Sequence, residues 1–179
     1  MFLSRIPVVT RMNDGFYDHR SQTVCSARST QLSVADFYGI LPGPGPGPGP
    51  GPGPGPGIGP GNDVPFPSNG PCIGKDIIRL NDKTFRLHST GIYQVQFQVC
   101  VEDARQLVLT LNNLELPESV VGKSSGSGSI TGCILLQTTL QDSSLTVRNP
   151  SSAFAPLRFP PLVGGVAPIA SHLLITRFA

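Results

Sequence analysis

The stretch that decides the fold is residues 92–101, which read IYQVQFQVCV. Apolar and polar side chains alternate along it, and successive side chains of a β-strand point to opposite faces. The stretch therefore predicts a strand with one buried face and one face rich in amides. The buried face would carry Tyr93, Val95, Phe97, Val99 and Val101, and the other face Gln94, Gln96, Gln98 and Cys100.

Shorter strand-like segments flank this stretch on both sides. They cover residues 33–40, 77–80, 84–87, 106–111, 114–121, 129–139, 143–148 and 170–178. Turn-forming residues separate them, and no window keeps a helical period for ten residues. Many short strands with turns between them predict an all-β antiparallel sandwich or barrel. We expect the last strand to lie centrally in its sheet, because a terminal strand is usually held in place by pairing.

Residues 42–61 interrupt this pattern with alternating proline and glycine, broken only by Ile58. A collagen triple helix needs glycine at every third position, so a period of two excludes it. We interpret the tract as a stiff spacer or loop inserted after the first strand. Residues 1–32 would then be an N-terminal arm, flexible or docked onto a neighbouring subunit, and residues 33–179 the domain itself.

The composition excludes several classes of protein. Only 13% of the residues are charged and the formal net charge is +2, whereas about 25% charged residues is usual. A nucleic-acid-binding protein needs a strongly basic patch, which is missing here. No run approaches the roughly 18 apolar residues of a membrane span. The first residues also lack the apolar run of a secretory signal peptide.

The sequence offers no pattern typical of catalysis or of a metal or cofactor site. A Gly-Lys-Ser string at 122–124 matches only the end of a phosphate-binding loop, because Pro117 stands where that loop needs glycine. Ser171 and its histidine neighbour would point to opposite faces of a strand. No acidic residue lies at helical ligand spacing from His19, His88 or His172. We expect no enzymatic activity and no cofactor.

The four cysteines leave two interpretations open. They are Cys25, Cys72, Cys100 and Cys133, and their wide spacing excludes a metal-binding CxxC pair. Buried free thiols are common in protein cores, whereas disulfides form on oxidising outer surfaces. Cys25 is the best candidate for a bond between subunits, because a flexible arm can reach a neighbour.

From residue 33 onward, a series of strings in a fixed order resembles a known family. The strings are SVADFY at 33–38, GIYQVQFQV at 91–99, QLVLTLN at 106–112, LPESVVG at 116–122, LTVRNP at 145–150 and PLVGGVAP at 161–168, followed by the closing strand 171–177. They are similar to the C-terminal domain of the collagen-like glycoproteins on the exosporium of bacterial endospores. The chain departs from that family in having a short arm instead of a long Gly-X-Y stalk, and in carrying the Pro/Gly tract inside the domain.

The resemblance implies a jelly roll like those of the tumour-necrosis-factor (TNF) and complement families, which assemble as tight homotrimers. It also implies a location on the spore surface, where a protein made in the mother cell needs no signal peptide. Amide-rich sheet faces suit packing against another subunit, and aromatic residues near the termini could line a threefold axis. The expected interface residues are Phe37, Tyr38, Gln94, Gln96, Gln98 and Phe178.

The expected function is structural: a homotrimeric head or building block of the exosporium. Its expected partners are further copies of the chain and other spore-surface proteins, with no nucleic acid and no membrane span. Three alternatives stay open. The arm could join trimers into a spore appendage fibre, the loops at 149–168 could make an adhesin-like or lectin-like head, or the sandwich could be a monomer.

Overall fold

The computed structural model describes residues 32–40, 57–160 and 169–178. These residues contain eleven β-strands and one short 3-10 helix. In chain order the strands are β1 (Ser33–Ile40), β2 (Ser68–Ile73), β3 (Ile77–Arg79), β4 (Phe85–Leu87), β5 (Gly91–Val101), β6 (Arg105–Leu111), β7 (Leu114–Glu115), β8 (Val121–Lys123), β9 (Gly128–Thr138), β10 (Ser143–Arg148) and β11 (Ile169–Arg177). The helix covers Pro117–Ser119. No helix that is long and apolar enough to cross a bilayer occurs in these ranges.

The strands form two antiparallel sheets that pack face to face as a jelly roll. The five-stranded sheet has the order β2-β1-β11-β5-β9, and the six-stranded sheet has the order β3-β4-β10-β6-β7 with β8 paired to β6. The predicted all-β antiparallel sandwich is therefore confirmed. The central position of the last strand is also confirmed, since β11 lies between β1 and β5.

The core lies between the sheets and follows the alternation seen in the sequence. On β5 the inward residues from Tyr93 to Val101 are buried, as predicted. Phe37 from β1 packs against Phe85 from β4 with ring centroids 4.4 Å apart. Phe66 packs edge-on against the same Phe85 ring. These aromatic contacts join the two sheets by burying large apolar surfaces in one cluster.

The predicted single strand over 114–121 is wrong. The chain instead forms β7, the 3-10 turn and β8 there. Pro117 lacks an N–H and fixes its own φ, which ends the pairing of β7. The hydroxyl of Ser119 accepts a hydrogen bond from the Leu109 N–H at 2.8 Å and donates to the Leu116 carbonyl at 2.7 Å. This side chain satisfies backbone groups that an unbroken strand would have paired.

Strand β2 was not expected, because Gly70 and Pro71 lie within it. Proline cannot donate to a sheet ladder, so strands that contain it occur at sheet edges. Strand β2 is the edge of the five-stranded sheet and pairs only with β1, with an irregularity opposite Ala35–Phe37. The edge position explains how a strand forms around a proline.

The last residues of the Pro/Gly tract are tied to the domain. Ile58 and Leu157 exchange two backbone hydrogen bonds, and the Gly61 N–H donates to the Asn149 carbonyl. The buried Asn149 amide also donates to the Ile58 carbonyl at 2.8 Å. Residues 42–56 of the spacer predicted over 42–61, and the predicted arm apart from Leu32, lie outside the described residues.

Candidate association face

The outward face of the five-stranded sheet is built by the three long strands β11, β5 and β9. The register places Gln96 of β5 between Leu174 of β11 and Cys133 of β9. One step along, Gln98 lies between His172 and Thr131. The alternation in β5 thus aligns its glutamines with outward residues of both neighbouring strands, and all of these belong to one surface, called here the association face.

The glutamine amides on the association face make hydrogen bonds to side chains of the neighbouring strand β9. Gln94 Nε2 donates to the Cys133 Sγ at 3.1 Å, Gln96 Nε2 contacts the same sulfur at 3.5 Å, and Gln98 Nε2 donates to the Ser129 Oγ at 3.2 Å. The amide groups of Gln96 and Gln94 lower the pKa of the Cys133 thiol, because they stabilise the thiolate. The face is therefore polar through neutral amides rather than through charges.

Charge is sparse on this sheet. Among the described residues of its five strands, only Asp36, His172 and Arg177 are ionisable as acids, histidines or bases. Asp36 and His172 pair with each other, with Oδ1 2.6 Å from Nε2. Arg177 lies at the rim and faces Asp76 at 3.6 Å. The association face consequently presents a single carboxylate, that of Asp36, which lies within hydrogen-bond distance of His172.

Apolar side chains surround the amides. Leu135 of β9 is 65% exposed and Ile92 of β5 is 43% exposed. A groove of about 590 Å³ crosses the face, and Val34, Leu174 and Pro71 are among its apolar lining residues. Leu135 is not among the expected interface residues, although the sequence contains the signal that places it outward. In the run Ile134-Leu135-Leu136 the strand period turns Leu136 inward, so Leu135 must point outward.

Most of the residues expected at a subunit interface lie on or beside this face. Gln96 and Gln98 are exposed, whereas Gln94 and Tyr38 are half-buried. Phe178 follows β11 directly and is 47% exposed. Whether a second subunit covers these residues stays a prediction.

One of the expected interface residues, Phe37, lies in the core instead. Its side chain is only 4% exposed and packs on Phe85 in the core. Residues 36 and 38 point outward, so the period of β1 turns Phe37 inward between them. The sequence-based assignment of Phe37 to the interface is therefore wrong, and its role is to hold the two sheets together.

The cysteines of the described chain are unpaired within the protomer. Cys72 and Cys133 are exposed and Cys100 is half-buried. Cys25 lies outside the described residues, so the prediction of a bond between subunits stays open. Within ranges 32–40, 57–160 and 169–178, no group of three or more histidine, cysteine or acidic residues could hold a metal ion.

The pairing of Asp36 with His172 could not be predicted from the sequence. The two residues are far apart along the chain and meet only because β1 pairs with β11, where Tyr38 lies opposite His172. The Tyr38 ring also lies edge-on to the imidazole, at 6.4 Å between centroids. Strand order and register, which set this contact, are properties of the assembled sheet.

The comparisons with known proteins point to the same fold. No family model and no curated protein matches the chain. The structure of Eiger TNF from S. frugiperda aligns with a TM-score of 0.58 and 15% identity, covering 84% of this chain and 94% of that one. Murine APRIL at pH 8.5 aligns with a TM-score of 0.54 and 15% identity, covering 82% and 99%. At these identities the likeness concerns architecture, and this chain is similar to both in having a TNF-like jelly roll.

Proposed function

We propose that this protein is a structural building block of the bacterial endospore surface and that it works as a homotrimer. The observation that carries the proposal is the association face, which is broad, neutral and apolar in patches. The ordered strings that resemble exosporium glycoproteins support the location on the spore. The jelly roll supports the assembly by analogy of fold. No catalytic step is part of the proposal.

The physical case for self-association starts from the charge on the association face. The centre of a stable interface is depleted in charged residues, because a charge costs free energy when it leaves water unpaired. The face meets this condition, since its single carboxylate, Asp36, is partnered by His172 and glutamines fill the centre. Obligate interfaces bury about 2,000 Å² or more. At about 25 cal/mol per Å² the gross gain is tens of kcal/mol before the costs of association.

Neutral amides add specificity to such an interface. Each glutamine that donates sideways to a cysteine or serine keeps its carbonyl oxygen as an acceptor. A neighbouring subunit that supplies N–H or O–H groups can complete these hydrogen bonds without burying a charge. The long edge strand β9 pairs only with β5 in the described chain, and we propose that a neighbour covers it, since exposed edges favour unwanted pairing.

The decisive test is the molar mass of the purified full chain in solution. Light scattering after gel filtration should give three times the 18.9 kDa mass of the chain. Leu135→Asp places a charge on the association face, and we expect it to shift the mass to that of a single chain. Leu114→Asp is the matched control, because Leu114 is 72% exposed on β7 of the other sheet. The control should stay trimeric.

Two results would contradict this assembly. A wild-type mass of one chain at micromolar concentration would overturn the trimer. A trimer mass unaffected by Leu135→Asp would show that the trimer forms through a surface other than the association face. The location is tested separately by immunogold labelling of intact spores with antibodies against the folded domain. Gold confined to the interior of the spore would contradict the surface role and leave the trimer intact.

A fibre role is a finer version of the same proposal, and it depends on residues 1–32 and Cys25. In this version the arm of one trimer binds the next, since a contact that does not close on itself produces filaments. Deleting residues 1–32 should then leave the trimer mass in proportion to the shorter chain while abolishing filaments in electron micrographs. Filaments that persist after the deletion would eliminate the arm as the connector.

A further inference from the structure

A second concave surface is lined by none of the residues that line the groove of the association face. It is a cleft of about 280 Å³ between the first residues of β6, the end of β8 and the loop at 152–155. Arg105 and Gln106 of β6, Lys123 of β8 and Phe154 of the loop supply its large side chains. Small residues make up the rest of the lining. The proposal below is independent of self-association, because it uses none of the residues of the association face.

Phe154 is the most unusual residue of this cleft. It is 89% exposed, more than any other large apolar residue of the described chain. The guanidinium carbon of Arg105 lies over its ring, 5.4 Å from the centroid. A cation over one face of an aromatic ring holds the ring in place. The exposed fraction shows that most of the ring surface remains available to a ligand.

Arg105, which supports the ring, is itself fixed. Its Nε donates to the Pro156 carbonyl at 3.1 Å and its Nη1 donates to the Ala104 carbonyl at 2.6 Å. Asp103 lies 3.4 Å from Nη2. The Arg105 side chain is only 13% exposed, whereas Asp103 is 62% exposed. The aromatic ring therefore rests on a buried, anchored cation, so that little ordering is needed when a ligand binds.

The opposite side of the cleft supplies a second cation. The Lys123 ammonium donates to the backbone carbonyls of Ser125 and Gly126. An ammonium group has three N–H donors, so one remains for a ligand. Gln106 and Ser152 add neutral donors. The two cations Arg105 and Lys123 outnumber the one carboxylate, Asp103, so the cleft carries an excess of positive charge. It therefore favours an anionic ligand that is rich in hydrogen-bond acceptors.

We propose that this cleft binds one acidic sugar residue, a uronic acid within a glycan. A pyranose ring has an apolar face of C–H groups that can stack on Phe154, and its hydroxyls can accept from Gln106 and Ser152. Its carboxylate pairs with Lys123, an interaction strengthened by charge. The cleft is slightly smaller than the roughly 300–1,000 Å³ of sites for drug-sized ligands. That size fits one sugar ring rather than an oligosaccharide buried end to end.

The test compares two sugars that differ only in the carboxylate, methyl β-D-glucuronide and methyl β-D-glucoside. Each is titrated into the full chain labelled with nitrogen-15, up to about 20 mM, the range in which weak single-residue sites are measured. We expect the glucuronide to shift the amide signals of residues 104–106, 123 and 152–155. We expect the glucoside to bind at least about tenfold more weakly.

Two variants examine the two parts of the cleft separately. Both substituted side chains lie at the surface, so we expect both variants to fold. Amide signals from the rest of the chain that remain unchanged would verify this. Phe154→Ala should weaken binding of both sugars at least about tenfold, because the stacking platform is lost. Lys123→Gln should bring the glucuronide down to the affinity of the glucoside. Lys83→Gln, on the exposed loop before β4, is the matched charge control and should leave both affinities unchanged.

Three outcomes would overturn the proposal. The first is the absence of shifts in the cleft at the highest glucuronide concentration. The second is equal affinity for the two sugars, which would remove the role of the carboxylate. The third is complete displacement of the glucuronide by an equal concentration of inorganic phosphate, which would reveal a site for small anions without recognition of a sugar.

Discussion

The outward faces of the two sheets differ in how their polar side chains are paired. On the six-stranded sheet, Arg148 of β10 binds Asp63 at 2.7 Å with both side chains less than one-fifth exposed. Asp63 also accepts a hydrogen bond from Thr146, and Thr146 meets Thr110 at 2.8 Å. On the five-stranded sheet, neutral amides take the place of such a network, and apolar side chains remain exposed.

The difference concerns how far the described chain itself covers and pairs the outward face of each sheet. The segment ending at Val64 lies against β10, where the Val64 N–H donates to the Val147 carbonyl, and it brings Asp63 to Arg148. The six-stranded sheet is therefore completed by its own chain. The five-stranded sheet receives no comparable cover from the described residues. That contrast is the physical basis for assigning association to one face and internal stability to the other.

Removing Asp63 should have the largest effect on the protomer. Asp63→Ala leaves Arg148 largely buried without its counter-charge, and breaking such a pair costs about 3–5 kcal/mol. Urea unfolding should show a loss near the lower end of that range, because both side chains keep some contact with water. The measurement is best made in the Leu135→Asp background, so that assembly does not contribute to the free energy of unfolding.

The control for this experiment is Asp82→Ala. Asp82 also pairs with an arginine, Arg79, at 3.0 Å, but the aspartate is 63% exposed. Exposed pairs contribute about 0–1 kcal/mol, so the control should unfold almost like its parent. Equal losses from the two substitutions would mean that the Asp63 pair does not stabilise the six-stranded sheet in the way proposed.

A smaller effect is expected where the two sheets meet. Asp76, just before β3, accepts hydrogen bonds from Ser33 at the start of β1 and from Ser89 just before β5. Burial raises the pKa of Asp76, but the two hydroxyl donors and the charge of Arg177 outweigh it, so the pKa lies below its ordinary 3.8. The folded state thus prefers the ionised carboxyl.

The sign of the pH dependence follows from this lowered pKa. The carboxylate stabilises the fold above the unfolded pKa near 3.8, and the contribution disappears as the pH falls through the lower folded pKa. Asp76→Asn should cost about 1–2 kcal/mol at pH 7. The gap between variant and parent should narrow below pH 4 in urea titrations. Parallel stability curves down to about pH 2 would contradict the role of this carboxylate.

Much of the fold was predictable because local patterns agree with it. The alternation of β5 identified its inward residues. The Asn112-Asn113 pair is among the turn-forming residues between the predicted strands, and both residues have positive φ between β6 and β7, as a type I′ hairpin turn requires. Such signals involve neighbours in sequence, and they survive into the structure unless a tertiary contact overrides them.

The association face was predictable only in part. The strand period correctly placed the glutamines outward. The same period turns Phe37 inward. The assignment of Phe37 to the interface failed because an aromatic residue near a terminus was assumed to be exposed. Predicting the pair formed by Asp36 and His172 would have required the register of β1 against β11. Strand β2, which contains Pro71, could be predicted only if its position at the edge of the sheet were known. Each of these features depends on strand order, which no local pattern encodes.

The smallest expected effect belongs to the one charged pair of the association face. Asp36→Asn removes the carboxylate that faces His172 Nε2, but the side chains are 22% and 49% exposed, so water replaces much of what is lost. In the monomeric Leu135→Asp background, the free energy of unfolding at pH 6 should change by less than about 1 kcal/mol. In the proposed wild-type trimer the same substitution should weaken assembly measurably, because a histidine covered by the neighbouring subunit would lose its partner. Light scattering over a dilution series compares the two cases. An equally small effect on both would show that this pair stays in water, and that the face around it is not covered by a neighbouring subunit.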